Sequence, residues 1–262
     1  MEKDRAVVLE LEQDIAKITF NRPESFNAMN TEFFGDLLKI MKNIRHMENV
    51  RCVVISGSGK AFSAGGDVNF MSKFENPEKE FQAPADHLNS IMLELYMLPK
   101  PTVAAINGPA VGAGLSVALA CDYRIMSDEA FLMFGYSGIG LTPDGGLSWI
   151  LPKIIGMSRS MKMVIDNPRI TADDALTWGL VHEVVPHDSW WKLAMEKARG
   201  ITGLAIQAIV TARRLMLEGW YGSLPEQLDK ERWSIARAAI GEGREGIRAF
   251  VEKRQPDFKN VK

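Results

Sequence analysis

The sequence lacks an excess of charge of either sign and has only two cysteines, and each of these features excludes a class of protein. Its 262 residues carry 31 Lys and Arg against 33 Asp and Glu, a formal net charge of −2. A dedicated nucleic-acid binder is normally basic, so we expect no nucleic-acid partner. Cys52 and Cys121 cannot form a disulfide framework, and both stand in apolar runs typical of reduced core thiols. With 46% hydrophobic and 24% charged residues, the chain is not mainly disordered.

The sequence also lacks a convincing membrane span, export signal or metal motif. The charged residues 1–5 lead into no apolar signal core, which predicts a cytoplasmic protein. Residues 101–121 carry no charge, but Asn107-Gly108-Pro109 interrupts them and would leave backbone groups unpaired in lipid. His182 and His187 are separated by a proline and cannot share one helical face, so we predict no metal site and no membrane contact.

The hydrophobic pattern predicts an α/β core followed by helices. Strands are expected over 7–12, 15–20, 50–56, 102–106, 123–127 and 181–185. A helix is expected to begin at Asn30 or Thr31, another near Gly112, and another at Thr171. Residues 75–87 are expected to form a mobile loop before a helix over 86–97, and further helices over 189–200, 204–218, 225–240 and 244–254.

Two small-residue loops follow the predicted buried strands. Residues 61–67 (AFSAGGD) follow the strand at 50–56, and residues 110–114 (AVGAG) follow the strand at 102–106. Each loop joins a strand to a helix, where free backbone N–H groups form an anion site. Two such loops on adjacent strands can direct N–H donors at one oxygen, which would suit enolate chemistry on a carbonyl. Tight packing turns without a ligand would give similar sequences.

A set of segments resembles the signatures of the crotonase (enoyl-CoA hydratase/isomerase) superfamily over nearly the whole chain. They are NRPESFNAMN (21–30), KAFSAGGDVNFM (60–71), KPTVAAINGPAVGAGLSVALACDYRI (100–125), IGLTPDGGLSWILPKIIG (139–156), ITADDALTWGLVHEVV (170–185) and FVEKRQPDF (250–258). The resemblance implies a ββα spiral core over residues 1–200 that binds an acyl-CoA thioester. It also implies a helical trimerisation region over 201–262, assembly as a homotrimer or dimer of trimers, and no cofactor beyond the coenzyme A of the substrate.

The resemblance also assigns roles to individual residues. It implies that the N–H groups of Ala64 and Ala113 form the oxyanion hole. The expected substrate contacts are Arg22, Ala28, Ala64, Gly66, Asp67, Gly112, Ser116 and Tyr136, with Phe250 and Lys253 reaching the ligand of a neighbouring subunit. Of these, we expect Asp67 to be structural or adjacent to CoA rather than chemical.

The chain departs from the family pattern at the two positions where hydratases carry catalytic glutamates. Ser116 and Tyr136 stand there, and neither an alkanol nor a phenol is an effective base near neutral pH. Simple hydration of an enoyl-CoA is therefore disfavoured. Tyr136 would line the acyl pocket, orient the substrate or pack in the core.

One carboxylate stands where certain enoyl-CoA isomerases of the family keep a single acid. Asp144, in Thr142-Pro143-Asp144-Gly145-Gly146, would shuttle a proton if its pocket raised its pKa. The neighbours expected to supply that apolar setting are Phe134, Tyr136, Ile139 and Trp149.

Other roles for Asp144 stay open at this stage. It could cap the following helix, since Pro-Asp-Gly-Gly is a strong turn signal and Asp is a favoured N-cap. It could act as a nucleophile, as in the family's aryl-CoA dehalogenases, or in thioester hydrolysis, or the protein could bind CoA thioesters without catalysis. The acyl group is not specified by the sequence.

Overall fold

A six-stranded sheet forms the centre of the computed structural model, which describes residues 5–261. The sheet has the order β1-β2-β3-β4-β6-β9. Its strands are β1 (Val7–Glu12), β2 (Ile15–Phe20), β3 (Cys52–Gly57), β4 (Thr102–Ile106), β6 (Tyr123–Ser127) and β9 (Glu183–Val185). The predicted strands are confirmed with end shifts of up to two residues. Residues 1–4 of the charged N-terminus lie outside the described part of the chain.

The pairing of the strands decides where the loops meet. β1 and β2 form an antiparallel hairpin, and every later pair in this sheet is parallel. β3 and β4 are direct neighbours, with Val53 opposite Thr102 and Ser56 opposite Ala105. Because parallel strands end at the same sheet edge, the two small-residue loops leave the sheet side by side.

A second, three-stranded sheet was not predicted from the sequence. It has the order β5-β7-β8, with β5 (Ala110–Val111), β7 (Phe131–Met133) and β8 (Ile170–Thr171). β5 runs parallel to β7, and β7 runs antiparallel to β8. These strands of two or three residues are too short to show a period of two in the sequence. The second sheet begins in the loop after β4 and so fixes that loop.

Eleven α-helices complete the described residues. Those of the core are α1 (Thr31–Arg45), α2 (Val68–Met71), α3 (Pro77–Glu80), α4 (Gln82–Tyr96), α5 (Ala113–Ala120), α6 (Leu147–Asp166, kinked at Gly156), α7 (Ala172–Thr177) and α8 (Trp190–Thr202). Three further helices end the chain: α9 (Ile206–Gly219), α10 (Leu224–Ala238) and α11 (Glu242–Val251). The start of α1 is confirmed, since the Asn30 side chain accepts a hydrogen bond from the Phe33 N–H at 3.0 Å.

The predicted mobile loop at 75–87 is wrong. This segment holds α3 and the first turns of α4, so α4 begins at Gln82 rather than near residue 86. The Asn76 side chain caps α3, and Pro77 occupies its first turn. Asn-Pro and Ala-Pro pairs resemble loop signals, but proline in the first turn of a helix removes no needed N–H.

Burial explains why β3 and β4 read as continuous apolar runs. All residues of both strands are buried, because helices pack on both faces of the sheet. Cys52 and Cys121 are buried free thiols, and burial raises the pKa of each to about 12. Within residues 5–261 no single helix is long and apolar enough to span a bilayer. One bent pair, His187–Thr202 with Ile206–Gly219, meets that criterion jointly, with a 100° bend.

Hydrogen bonds of the Asn27 side chain join the β2–α1 connection to the loop after β3. It is fully buried at a φ of 57°, in the left-handed region. Its amide donates to the Ser58 and Ala61 carbonyls at 2.9 and 2.8 Å and accepts from the Arg22 N–H at 2.8 Å. Asparagine tolerates this backbone conformation better than most residues, and its amide satisfies groups that the fold has removed from water.

We predict that Asn27→Ala lowers the free energy of unfolding by about 2–4 kcal/mol, because it leaves buried backbone groups unpaired and strains a left-handed residue. Urea unfolding followed by circular dichroism measures the change. The control is Asn89→Ala on the exposed face of α4, which should be neutral or slightly stabilising because alanine favours a helix. Equal unfolding curves for the two variants would contradict this role of Asn27.

Candidate active site

A cavity of about 600 Å³ opens where the loops after β3 and β4 meet the helices α2 to α4. Most of its lining is apolar, and its titratable side chains are Asp144, Tyr136 and Glu78. The lining residues are Phe34, Ala64, Gly66, Val68, Met71, Pro77, Glu78, Phe81, Pro84, Ala85, Val111, Gly112, Ala113, Gly135, Tyr136, Ile139, Leu141, Thr142, Pro143 and Asp144. The two loops and Asp144, identified separately in the sequence, therefore share one cavity.

The loop after β3 corrects one predicted donor. The N–H of Ala64 donates to the Phe26 carbonyl at 2.9 Å, so it is not free. The Met29 N–H instead donates to Gly65, and the Asp67 N–H donates to the Met29 carbonyl. These two bonds form a parallel β-bridge between Met29 and Gly66. The N–H of Gly66, which lies between Gly65 and Asp67, therefore points away from Met29. Within residues 5–261 the Gly66 N–H has no acceptor, so Gly66 rather than Ala64 offers the unpaired donor.

The loop after β4 supplies a second unpaired N–H. Ala113 is the first residue of α5, where an N–H has no partner within its own helix. In the described part of the chain, no other group accepts from it.

The two loops approach closely because glycines stand where they meet. A Cβ placed on Gly65, at a φ of +85°, would lie 2.7 Å from the Val111 carbonyl oxygen and 3.3 Å from the Ala113 nitrogen. A Cβ on Gly114 would lie 2.6 Å from the Ser63 carbonyl oxygen. Larger residues at either position would separate the loops.

Asp144 also lines the cavity, from the turn before α6. Its Oδ1 accepts a hydrogen bond from the Tyr136 hydroxyl at 2.5 Å. The alternative in which Asp144 caps α6 is wrong, because the residue at the N-cap is Gly146 and no side chain caps this helix. The carboxylate therefore faces Tyr136 and the cavity instead of the helix end.

Burial dominates the electrostatics of Asp144. Removal from water raises the pKa of its carboxyl, although the Tyr136 hydroxyl and a backbone hydrogen bond act in the opposite direction. The pKa of Tyr136 is also raised, first by burial and then by the neighbouring Asp144 charge. A carboxylate with a raised pKa is a better base than an exposed aspartate.

The prediction of apolar neighbours around Asp144 is only partly correct. Phe134 packs edge-on against the Tyr136 ring, with centroids 5.3 Å apart, and Ile139 lines the cavity. Trp149 lies elsewhere, packed against Tyr96 and Trp220. It points away because it lies on α6 beyond the turn that carries Asp144.

Three of the predicted substrate contacts form one cluster. The Arg22 guanidinium donates to the Ala28 carbonyl and pairs with the Asp67 carboxylate at 3.0 Å. Asp67 also caps α2, since its Oδ1 accepts from the Phe70 N–H at 3.1 Å. Asp67 thus holds the loop of Gly66 and Arg22 together, which agrees with the expected structural role.

The remaining predicted residues fall in two groups. Gly112 lines the cavity beside Ala113, whereas Ser116 is fully buried one turn along α5. Phe250 on α11 is 85% exposed, and Lys253 follows that helix, so neither contributes to this cavity from its own chain. The role of Phe250 and Lys253 in a neighbouring subunit stays a prediction.

Helices α2 to α4 form one wall of the cavity. Val68, Met71, Glu78 and Phe81 line it. Edge-on ring contacts join Phe70 to Phe74 and Phe74 to Phe81, each with centroids 5.2 Å apart. Glu78 had no recognisable motif, and its position depends on the unpredicted helix α3. In the described range, no group of three or more potential ligands could hold a metal ion.

Comparisons with known proteins identify the family to which this chain belongs. The sequence model of the enoyl-CoA hydratase/isomerase family matches residues 10–261. The chain is 31% identical to the 1,2-epoxyphenylacetyl-CoA isomerase of Escherichia coli over 262 residues, covering 96% of this chain and 97% of that protein. It is 32% identical to the 4-chlorobenzoyl coenzyme A dehalogenase-2 of an Arthrobacter species over 198 residues, covering 75% of this chain and 72% of that protein.

A solved structure gives the same result for the fold. The enoyl-CoA hydratase of Bacillus anthracis superposes with a TM-score of 0.92 at 29% identity, covering 97% of this chain and 99% of that one. The chain therefore belongs to the enoyl-CoA hydratase/isomerase family and has the crotonase fold. The resemblance found in the sequence motifs is confirmed.

We predict that Asp144→Asn stabilises the protein at pH 7 by about 0.5–2 kcal/mol, because it removes a buried charge and keeps an acceptor for the Tyr136 hydroxyl. Folding raises the pKa of Asp144, so its charge begins to lower stability as pH rises through the unfolded pKa, and the full cost is reached above the folded pKa. Below the unfolded pKa of an aspartate, about 3.9, both forms are neutral and the gap should close. Thermal unfolding at several pH values measures this, and a gap that is independent of pH would contradict it.

Proposed function

We propose that the protein isomerises an acyl-CoA thioester by moving a proton through Asp144. The observation that carries the proposal is a single partly buried carboxylate in the same apolar cavity as two unpaired backbone N–H groups. Stabilising the oxygen of an enolate requires such donors, and moving a double bond requires one group that takes and returns a proton. The similarity to an isomerase along nearly the whole chain supports the same reaction type.

The steps for an unsaturated acyl chain follow from this arrangement. The Asp144 carboxylate removes a proton from C2, next to the thioester carbonyl, and the electron pair moves onto the carbonyl oxygen. The N–H groups of Gly66 and Ala113 donate to that oxygen while it is negative. The protonated Asp144 then returns the proton at C4, and the C3–C4 double bond moves to C2–C3.

The positions of the hydratase glutamates support isomerisation over hydration. Ser116 is fully buried, and its hydroxyl contacts backbone carbonyls, while the Tyr136 hydroxyl donates to Asp144. Neither is arranged to activate water. Glu78 lines the cavity but lies on its exposed helical wall.

Two further proposals concern the CoA portion of the ligand, from the Arg22 cluster, and the assembly of subunits, from the terminal helices. Arg22, Ala28 and Asp67 are proposed to lie against the CoA portion at the mouth of the cavity. Large exposed apolar side chains on α10 and α11 support assembly through these helices, as a homotrimer or dimer of trimers. They include Leu224, Leu228, Trp233, Ile235, Ile247, Phe250 and Val251.

A second candidate uses Asp144 as a nucleophile. The similarity to a 4-chlorobenzoyl-CoA dehalogenase favours it, because an aspartate facing an apolar cavity could also attack an aryl-CoA. Mass spectrometry of enzyme mixed with 4-chlorobenzoyl-CoA separates the two. An aryl ester on Asp144 with loss of chloride supports the nucleophile, and unmodified protein supports the proton shuttle.

We predict that Asp144→Asn abolishes isomerisation while CoA-thioester binding remains, because the amide cannot accept the substrate proton at neutral pH. A panel of aliphatic, alicyclic and aromatic CoA thioesters is incubated with each protein and followed by mass spectrometry and chromatography. A product of unchanged mass indicates isomerisation, gain of water indicates hydration, and free CoA indicates hydrolysis. Undiminished turnover by the variant would remove Asp144 from the reaction.

We predict that Ala113→Pro reduces kcat/KM by about 10²–10³ because it deletes one donor to the oxyanion. Proline is tolerated at the first position of a helix, so the fold should persist. The matched control is Ala172→Pro, at the first position of α7, outside the cavity lining. Equal activity of the two variants would exclude the Ala113 N–H as a donor.

A further inference from the structure

The side chains at positions 116 and 136 both contact residue 144. The Tyr136 hydroxyl lies 2.5 Å from the Asp144 carboxylate, and the Ser116 hydroxyl lies 3.3 Å from the Asp144 main-chain carbonyl. These contacts come from different elements, since Ser116 lies in α5 and Tyr136 follows β7. The two hydroxyls therefore hold one residue at its backbone and at its side chain.

The Tyr136 side chain is itself fixed. It is only 8% exposed, packs edge-on against Phe134, and passes close to Gly112, whose Cβ position would lie 3.7 Å from the tyrosine ring. A buried phenol in this position presents its hydroxyl to Oδ1 in one direction. Among residues 5–261, no side chain other than Tyr136 donates a hydrogen bond to the Asp144 carboxylate.

The turn that carries Asp144 is packed as closely as its side chain. The Ser116 hydroxyl also contacts the Gly112 carbonyl at 3.3 Å, and so joins the start of α5 to this turn. A Cβ on Gly145 would lie 2.9 Å from the Leu88 side chain and 3.2 Å from the Ser116 Cβ. Movement of residue 144 would thus require movement of α4 or α5.

We propose that Tyr136 and Ser116 are positioning residues for Asp144. Tyr136 holds Oδ1 and leaves Oδ2 to carry the proton, and Ser116 fixes the backbone from which the carboxylate extends. This inference rests on the proposed function for its kinetic consequences, but the contacts can be tested without any substrate.

The two hydroxyls act differently on the ionisation of Asp144. Tyr136 donates to the carboxylate and favours its charged form. Ser116 contacts the Asp144 main-chain carbonyl and the Tyr136 side chain, but not the carboxylate itself. The other titratable groups around the cavity are Glu78 of α3, which lines it, and His87 of α4, which stacks on Phe34 with ring centroids 6.5 Å apart. Neither is changed in the variants below.

The experiment compares Tyr136→Phe, Ser116→Ala and the matched control Tyr96→Phe. The Tyr96 hydroxyl is buried, has no hydrogen-bond partner among the described residues, and lies outside the cavity lining. The first readout is the titration of the Asp144 carboxyl in the free protein by carbon-13 NMR, assigned with Asp144→Asn. The second is the pH profile of kcat/KM for the conversion of 3-hexenoyl-CoA to 2-hexenoyl-CoA.

In Tyr136→Phe we expect Asp144 to titrate at higher pH and the acid limb of the profile to move upward with it. The loss in kcat should be about 10–100-fold, with little change in KM. In Ser116→Ala we expect a smaller loss in kcat with the limb unmoved, and in Tyr96→Phe no change. Circular dichroism confirms that each variant is folded.

The readouts distinguish this inference from the proposed function. An Asp144 titration that is the same in Tyr136→Phe and wild type overturns the role of Tyr136. Wild-type kcat in Ser116→Ala overturns the role of Ser116. If 3-hexenoyl-CoA is not converted by the wild type, a shifted titration still supports the Tyr136 contact, and the proposed reaction fails separately.

Discussion

The parallel pairing of β3 with β4 is the constraint on which the candidate site depends. It places the ends of two buried strands at one sheet edge, so the chain must leave that edge twice within a short distance. Glycine at positions 65 and 114 allows the two departing loops to touch. Gly66 and Ala113 then line one cavity because the strands that precede them are neighbours, not because either loop forms a site by itself.

Hydrogen-bond satisfaction decides which backbone groups are available in that cavity. Most N–H groups of the loop after β3 are used by its neighbours: Ala64 donates to Phe26, Gly65 to the Ser63 hydroxyl, and Asp67 to Met29. Among residues 5–261 the N–H of Gly66 has no acceptor, because the bridge to Met29 uses only the residues beside it. An unpaired N–H at a cavity wall keeps its full capacity to bind a negative oxygen.

The burial of Asp144 in the cavity has a cost in folding stability. Asp144 is removed from much of the solvent, and that burial makes its charged form unfavourable. The Tyr136 hydroxyl offsets part of this effect and also fixes the carboxylate in direction. Burial of Asp144 thus lowers stability and raises its pKa, and a raised pKa is what the proposed proton transfer requires.

Much of the architecture could be predicted from the sequence, because hydrophobic period and capping are local. Local patterns predict the hairpin β1–β2, the buried strands β3 and β4, and the helix caps at Asn30 and Thr171. The second sheet was not, since β5 and β8 have two residues each and are defined only by their partners. The prolines near residues 77 and 84 also concealed α3 and the start of α4.

For the site, the sequence by itself determined the family, the two loops and the single acid at position 144. Only the tertiary structure decided which amide in the first loop is free, and that Asp144 faces Tyr136 rather than the N-terminus of α6. The reason is physical: motif spacing fixes which residues occur in a loop. The direction of a backbone N–H or a carboxylate depends on partners distant in sequence, here Met29, Phe26 and Tyr136.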